Sequence, residues 1–473
     1  MNLTDISLPV AVLGAGPVGL AAAAHLIERG MTPLIFESHE EVAGNLATYQ
    51  QVRLFSPWQY NVDKAARRLL EAAGWQMPPL EELPSAGELR ERYLEPLAQL
   101  PQLAQHLKLG HRVTQLARLG FDKVKTRGRE QAAFIIRAQT ADGEREYFAS
   151  AVLDATGTWS HPNPLGANGI KAQGEQQFAH HISYGMPDIL GAERQRYAGK
   201  RVLVVGAGHS AAGSLLALAQ LAEEAPGTVL VWAVRGNSLA KTFGGGEADG
   251  LPARGQVGLR LQALHKAGRL EIHTNFRIRS ITEQHGQLRV LGDEVHKVPQ
   301  FIDGIEQIVA STGARPDLGI TRELRVRHDP WLGSTDALAP LIDPNEHSCG
   351  TVRPHGHREL AHPEQGYYAV GAKSYGRAPN FLMATGYEQA RSVVAALAGD
   401  LHAADDVQLE LPETGVCNSR LPGIETAAAS CCGGPAPAES EACCALDADV
   451  KAAGEAGCGC PPPQAKTKAS CCA

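Results

Sequence analysis

Cysteine is missing from the first 348 residues of this 473-residue chain. No disulfide framework can form there, and no C-x-x-C or C-x-x-x-x-C pair can carry electrons through the body. Blocks of lysine or arginine are missing too, and the net charge is −7. This removes the electrostatic footprint for nucleic acid or an anionic membrane. An uninterrupted apolar run is also lacking: "LPVAVLGAGPVGLAAAAHLI" at 8–27 has no basic residue ahead of it and is cut by glycines and a proline. We therefore read no targeting segment. The expectation is a soluble cytoplasmic protein, 44% apolar and 20% charged, large enough for two domains and an extension.

What is present is a repeat. "VAVLGAGPVGLAAAAHL" reads as an apolar strand, then G-x-G-x-x-G on Gly14, Gly16 and Gly19, then an Ala-rich helix, and "TPLIFE" supplies a second strand ending at Glu37. The glycines let the turn close and the backbone approach a pyrophosphate, whose charge meets free N–H groups at the helix N-terminus. Glu37, 18 residues after Gly19, is placed to accept from the adenine ribose hydroxyls. A second copy begins 192 residues later, with Gly206, Gly208, Ser210 and Ala211 between "KRVLVV" and an apolar helix, followed by the strand "TVLVWAVR". Its end carries Arg235, and a cation there suits a 2′-phosphate, which favours NADPH over NADH.

Two further apolar strands, "AVLDATG" ending at Gly157 and "QIVASTGARPD" at 307–317, bring glycine to a strand's carboxyl end. Ligands of open α/β sheets bind there. This arrangement resembles the two-dinucleotide-binding flavoproteins. The resemblance implies an α/β fold of two Rossmann-like domains, with FAD in the first and NADPH in a second domain inserted into it. On that basis the FAD domain spans 1–160 and 308–400, with a helical excursion at 61–109 in which Ser85 and Glu88 form a capping box. The NADPH domain spans 195–305, and 411–473 is a flexible cysteine-rich tail, poor in the residues a core needs.

"GHSAAG" resembles the flavin-containing monooxygenases, which reduce FAD with NADPH and then react with molecular oxygen. Their linker pattern F-x-G-x-x-x-H-x-x-x-Y is half present in "GEQQFAHHISY", with His180 and Tyr184 retained but Gly174 and Gln176 in place of the Phe and Gly. The stretches "VRLFSPWQYNVD", "FGGGEADGLPARGQVG", "SCGTVRPHG" and "GYYAVGAKSYGRAPNFLMATGYEQARSV" bring the chain close to the flavin-dependent, NADPH-using proteins of bacterial arsenic-resistance clusters. That resemblance, over 10–400, implies FAD, NADPH and a small-molecule or metalloid substrate. In the last stretch Gly371 stands where related flavoproteins close over the cofactor. Many place an acid next; here it is Ala372, which leaves backbone groups to meet FAD.

Eight of the ten cysteines crowd into the last 43 residues, as Cys431–Cys432, Cys443–Cys444, Cys458 with Cys460, and Cys471–Cys472. Thiolates so spaced can converge on a soft ion, trivalent arsenic above all. Zinc, copper and a redox role remain open alternatives. From Gly415 to Cys472 a flexible chain has an r.m.s. span of about 40 Å, enough to visit the body. The loop "NEHSCGTVRPHGHRELAH" holds the only thiol before residue 415, Cys349, which could receive a substrate from the tail. The plainer reading is a buried cysteine among surface histidines. The expected function is an NADPH-dependent FAD oxidoreductase of the monooxygenase type, with Cys349 and His180 as candidate catalytic residues. An oxygenase for an organic amine or thioether and a metalloid-binding chaperone on a flavoprotein body are the alternatives. Nothing in the sequence specifies an oligomeric state.

Overall fold

The structure, a computed structural model, describes residues 8–243, 252–293, 298–347 and 352–410. A five-stranded parallel sheet runs in the order Tyr367–Ala369, Ala151–Asp154, Val10–Leu13, Pro33–Phe36, Leu107–Lys108. Its central strand, Val10–Leu13, is buried at all four positions, as a strand covered on both faces must be. Helix Pro17–Glu28 packs over it with Ala21, Ala22, Ala23 and Ala24 fully buried, against helix Met383–Leu397. Small side chains let the two helices approach each other and the sheet.

The second parallel sheet runs Glu271–His273, Val229–Ala233, Arg201–Val205, Gln307–Ala310, Ile182–Tyr184, covered by helix His209–Glu224. Both sheets therefore have the parallel, helix-covered form expected of two Rossmann-like domains. Each domain also carries a three-stranded antiparallel sheet, 112–149 and 278–305. The sequence reading assigned neither.

The segment 61–109 is built of short helices, beginning with Lys64–Ala72, whose N-cap Asp63 accepts from the amides of Ala65 and Ala66, both at 2.9 Å. The capping box at Ser85 and Glu88 is formed in both directions.

Two crossings join the domains, and they are stitched to each other. Asn163 N–H donates to Gly313 O at 2.9 Å, Thr312 Oγ1 to Asn163 O at 2.5 Å, and Arg315 N–H to His161 O at 3.0 Å. Past this ribbon the buried Glu175 carboxylate accepts from the amides of Leu165 and Ala172 and from the Tyr184 hydroxyl, the last at 2.5 Å. Burial, then the Glu175 contact, raises the Tyr184 phenol well above its usual range, so it remains a donor.

Candidate functional site

At the carboxyl ends of the first sheet lies a cavity of about 400 Å³ whose wall includes Gly14, Gly16, Glu37, Gly157 and Gly371. Five of the residues singled out for FAD thus meet in one place. Gly14 has φ +95°, and a Cβ there would lie 2.8 Å from Ala155 O. Gly19 packs beneath the turn, where a Cβ would fall 1.8 Å from Gly14 O, while one on Gly16 meets nothing within 4 Å. Two glycines therefore serve the fold, and the third keeps backbone open to a ligand. Helix Pro17–Glu28 starts here with no side-chain cap and no acid in its first turn, so its free amides face that ligand uncompensated.

On one side of Gly14, Glu37 is buried and accepts from Ala15 N–H at 2.9 Å and from His39 N–H at 3.0 Å. It both fixes the glycine turn and lines the cavity beside His111 and Arg112. On the other side, Gly371 N–H donates to the fully buried Gln389 at 2.8 Å, and Gln389 also reaches Ser374 and His355. Beyond stand Tyr49 and Trp159, ring centroids 4.5 Å apart, with Phe381 and Met383. Burial pushes the Tyr49 phenol up to about 12, which keeps it neutral at physiological pH.

A buried charged side chain that the sequence reading did not single out enters this wall. Lys373 is 2% exposed, and its Nζ sits 2.6 Å from Asp154 Oδ2 and 2.9 Å from Thr156 Oγ1. Asp154, fully buried, also accepts from Thr156 Oγ1 at 2.7 Å and from the Tyr367 hydroxyl at 3.0 Å. A lysine among small residues after a strand, and an aspartate within an apolar one, were the available signals.

The second sheet repeats the glycine turn. Gly206 has φ +138°, and a Cβ there would lie 2.2 Å from Ser311 O, while Gly208 is open. Gly208 and Ser210 lie at the start of helix His209–Glu224. Arg235 is exposed just past strand Val229–Ala233, with Nη1 3.4 Å from Ala167 O. Phe55, from the first domain, packs edge-on against His209 with centroids 5.2 Å apart.

His180 is exposed, its ring against His181 at 4.1 Å, and it is not part of the cavity wall. Cys349 and Cys431, Cys432, Cys443, Cys444, Cys458, Cys460, Cys471 and Cys472 lie outside the described residues. The loop histidines differ from the expectation of a surface set. His355 and His362 are buried, and desolvation lowers both, His362 to about 4. His357 instead pairs with Asp405 at 2.9 Å. Each has found a separate neighbour, and among the described residues no cluster of three or more His, Cys, Asp or Glu stands ready for a metal ion.

Two parallel sheets, each with a glycine turn and an uncapped helix at its carboxyl edge, define an oxidoreductase that uses two dinucleotides. The residues fit FAD at the first turn and NADPH at the second. The chain belongs to the pyridine nucleotide-disulphide oxidoreductase family, matched over residues 11–346. It is also 25% identical over 232 residues to a GS-OX-like flavin-containing monooxygenase of Arabidopsis thaliana, 46% of this chain and 48% of that protein. The chain thus spans about half the length of that curated relative. Its fold is shared with bacillithiol disulfide reductase from Bacillus cereus (TM-score 0.62, 17% identity, 83% of this chain and 99% of that one). It is shared as well with the FAD-bound cadaverine monooxygenase of Erwinia amylovora (TM-score 0.60, 12% identity, 86% and 97%). No helix among the described residues is long and apolar enough to cross a membrane.

Proposed function

We propose that this protein is an NADPH-dependent FAD oxidoreductase of the monooxygenase type, acting on a trivalent arsenical or related thiophilic compound collected by its C-terminal cysteine pairs. One observation carries the oxygen-directed part: the family's disulfide chemistry needs a pair of thiols at the flavin, yet residues 1–348 contain no cysteine and none lines the cavity among the described residues. Bound FAD would accept hydride from NADPH and pass both electrons to oxygen, one atom of which would go to the substrate and the other to water. The chain's part is to hold and shield. Glu37 fixes the ribose end and Gly16 admits the pyrophosphate. Tyr49, Trp159, Phe381 and Met383 form an apolar wall that keeps water from the reacting end. Arg235 selects the 2′-phosphate, and Cys349 presents the thiophilic substrate. The arsenical assignment is supported by the sequence resemblance and by the soft-ion chemistry of paired thiolates.

The test is rapid mixing of the NADPH-reduced protein with oxygen, with and without arsenite, followed by product analysis. Arsenite should accelerate NADPH consumption and emerge oxidised. Reoxidation unaffected by arsenite, with no oxidised arsenic, would exclude this substrate.

A further inference from the structure

A buried lysine is costly unless something repays its desolvation, and a buried ion pair often adds little net stability over apolar packing. Lys373, in the cavity wall, and Asp154, behind it, are both buried, where apolar residues would serve the fold as well. Thr156, which receives the Lys373 ammonium, lies against the first glycine: a Cβ on Gly14 would be 3.3 Å from Thr156 Cα. Gly371, two residues before Lys373, faces the first turn of helix Pro17–Glu28, its ideal Cβ 3.2 Å from Val18 Cγ2. The ammonium is thus tied to the glycine turn and the uncapped helix start, the phosphate end of the site. Of the lysines and arginines lining the cavity, Arg112 is exposed and Lys373 is buried. Burial, and after it the charge of Lys373, also hold His328 below its ordinary range, as a cation set close by would.

We propose that Lys373 is a cofactor-binding residue, whose ammonium, aimed by Asp154 and Thr156, binds the pyrophosphate of the dinucleotide in the first site. The acid that related flavoproteins place after the glycine is replaced here by a cation one residue further on. Asp154 acts as its tether: with Asp154 at 2.6 Å and Thr156 at 2.9 Å taking two of its three donors, the ammonium has a third for a phosphate oxygen. A buried charge-assisted bond to a phosphate then adds to the helix amides.

The inference rests on the reading of the first site as an FAD site. The experiment separates the two by comparing FAD with riboflavin, which has no phosphate, on apo-protein by flavin fluorescence quenching. Failure of the wild type to bind FAD would defeat the site assignment itself. In Lys373→Met with Asp154→Asn, both charges leave together and neither is buried alone. The FAD Kd should rise roughly 10- to 100-fold, the range of a charge-assisted hydrogen bond, with the riboflavin Kd unchanged. Equal losses for both ligands, or no loss for either, would overturn the proposal. Should the double variant fail to fold, Thr156→Val decides, because it keeps the Lys373–Asp154 pair and removes only the hydroxyl that helps to aim the ammonium. The preference for FAD over riboflavin should fall, and an unchanged preference would overturn the assignment.

Discussion

Alanine at Gly16 and alanine at Gly14 should damage this protein in opposite ways, although the two glycines are two positions apart. At Gly14 the backbone has φ +95° and the new Cβ would sit 2.8 Å from Ala155 O. An L-residue in that region costs about 1–2 kcal/mol, and the contact forces two strands apart on top of it. Gly14→Ala should therefore lose at least about 2 kcal/mol of stability before any cofactor is added. Gly16 has φ −81° and ψ −173°, extended backbone that alanine accepts, and its Cβ would meet nothing within 4 Å. The entropy gained from a stiffer unfolded chain, about 0.4–1 kcal/mol, offsets alanine's weakness as an N-cap, so the apo-protein should change by under about 0.5 kcal/mol. The methyl group instead stands where the pyrophosphate approaches. Losing one amide bond to a charged phosphate costs about 1.5–3 kcal/mol, or roughly a 10- to 100-fold rise in the FAD Kd. Urea unfolding of the apo-proteins and fluorescence titration with FAD measure the two quantities separately. A Gly16→Ala protein that unfolds early, or that keeps wild-type FAD affinity, would refute the division of labour.

Arg235→Ala should lower kcat/KM for NADPH roughly 10- to 100-fold through loss of a charge-assisted bond and leave NADH nearly unchanged; equal losses would make Arg235 structural. Truncation after Gly415 should preserve FAD binding and NADPH oxidation but raise the arsenite concentration for half-maximal stimulation, because tethered thiols raise the local ligand concentration; identical titrations of both forms would assign the cysteines another ligand. His362, buried and held near 4, stays neutral in the folded protein while its unfolded form takes up a proton below about 6.5. Stability should therefore fall as pH drops from about 6.5 towards 4, and His362→Gln should flatten that slope in urea midpoints measured across the range. An unchanged slope would mean that other groups govern it.

Features specified by neighbours in sequence were readable from the chain. The two glycine turns needed only a strand before and a helix after, and the capping box at Ser85 and Glu88 spans three residues. Pairings at long separation were not. Lys373 meets Asp154 across 219 positions, and nothing local marks either as the other's partner. Strand Ile182–Tyr184 reads as linker because three residues carry no periodicity, yet it completes the second sheet beside Gln307–Ala310. The loop histidines were misplaced for a related reason. A histidine's burial depends on what packs over it, and Gln389 and His328, which contact His355 and His362, come from elsewhere in the first domain.

The stitched crossings between the domains bear on how the two nucleotides meet. A body hung from another by two independent strings can tilt, slide and twist, with six degrees of freedom barely limited. Bonding Asn163 to Gly313 and Thr312, and Arg315 to His161, fuses the strings into one ribbon, and the Glu175 knot stiffens the chain directly beyond it. The cradle at Gly14 and the cradle at Gly206 are thereby joined through one linked ribbon rather than two separate strands, and the Phe55–His209 contact, with centroids 5.2 Å apart, ties the two parts a second time.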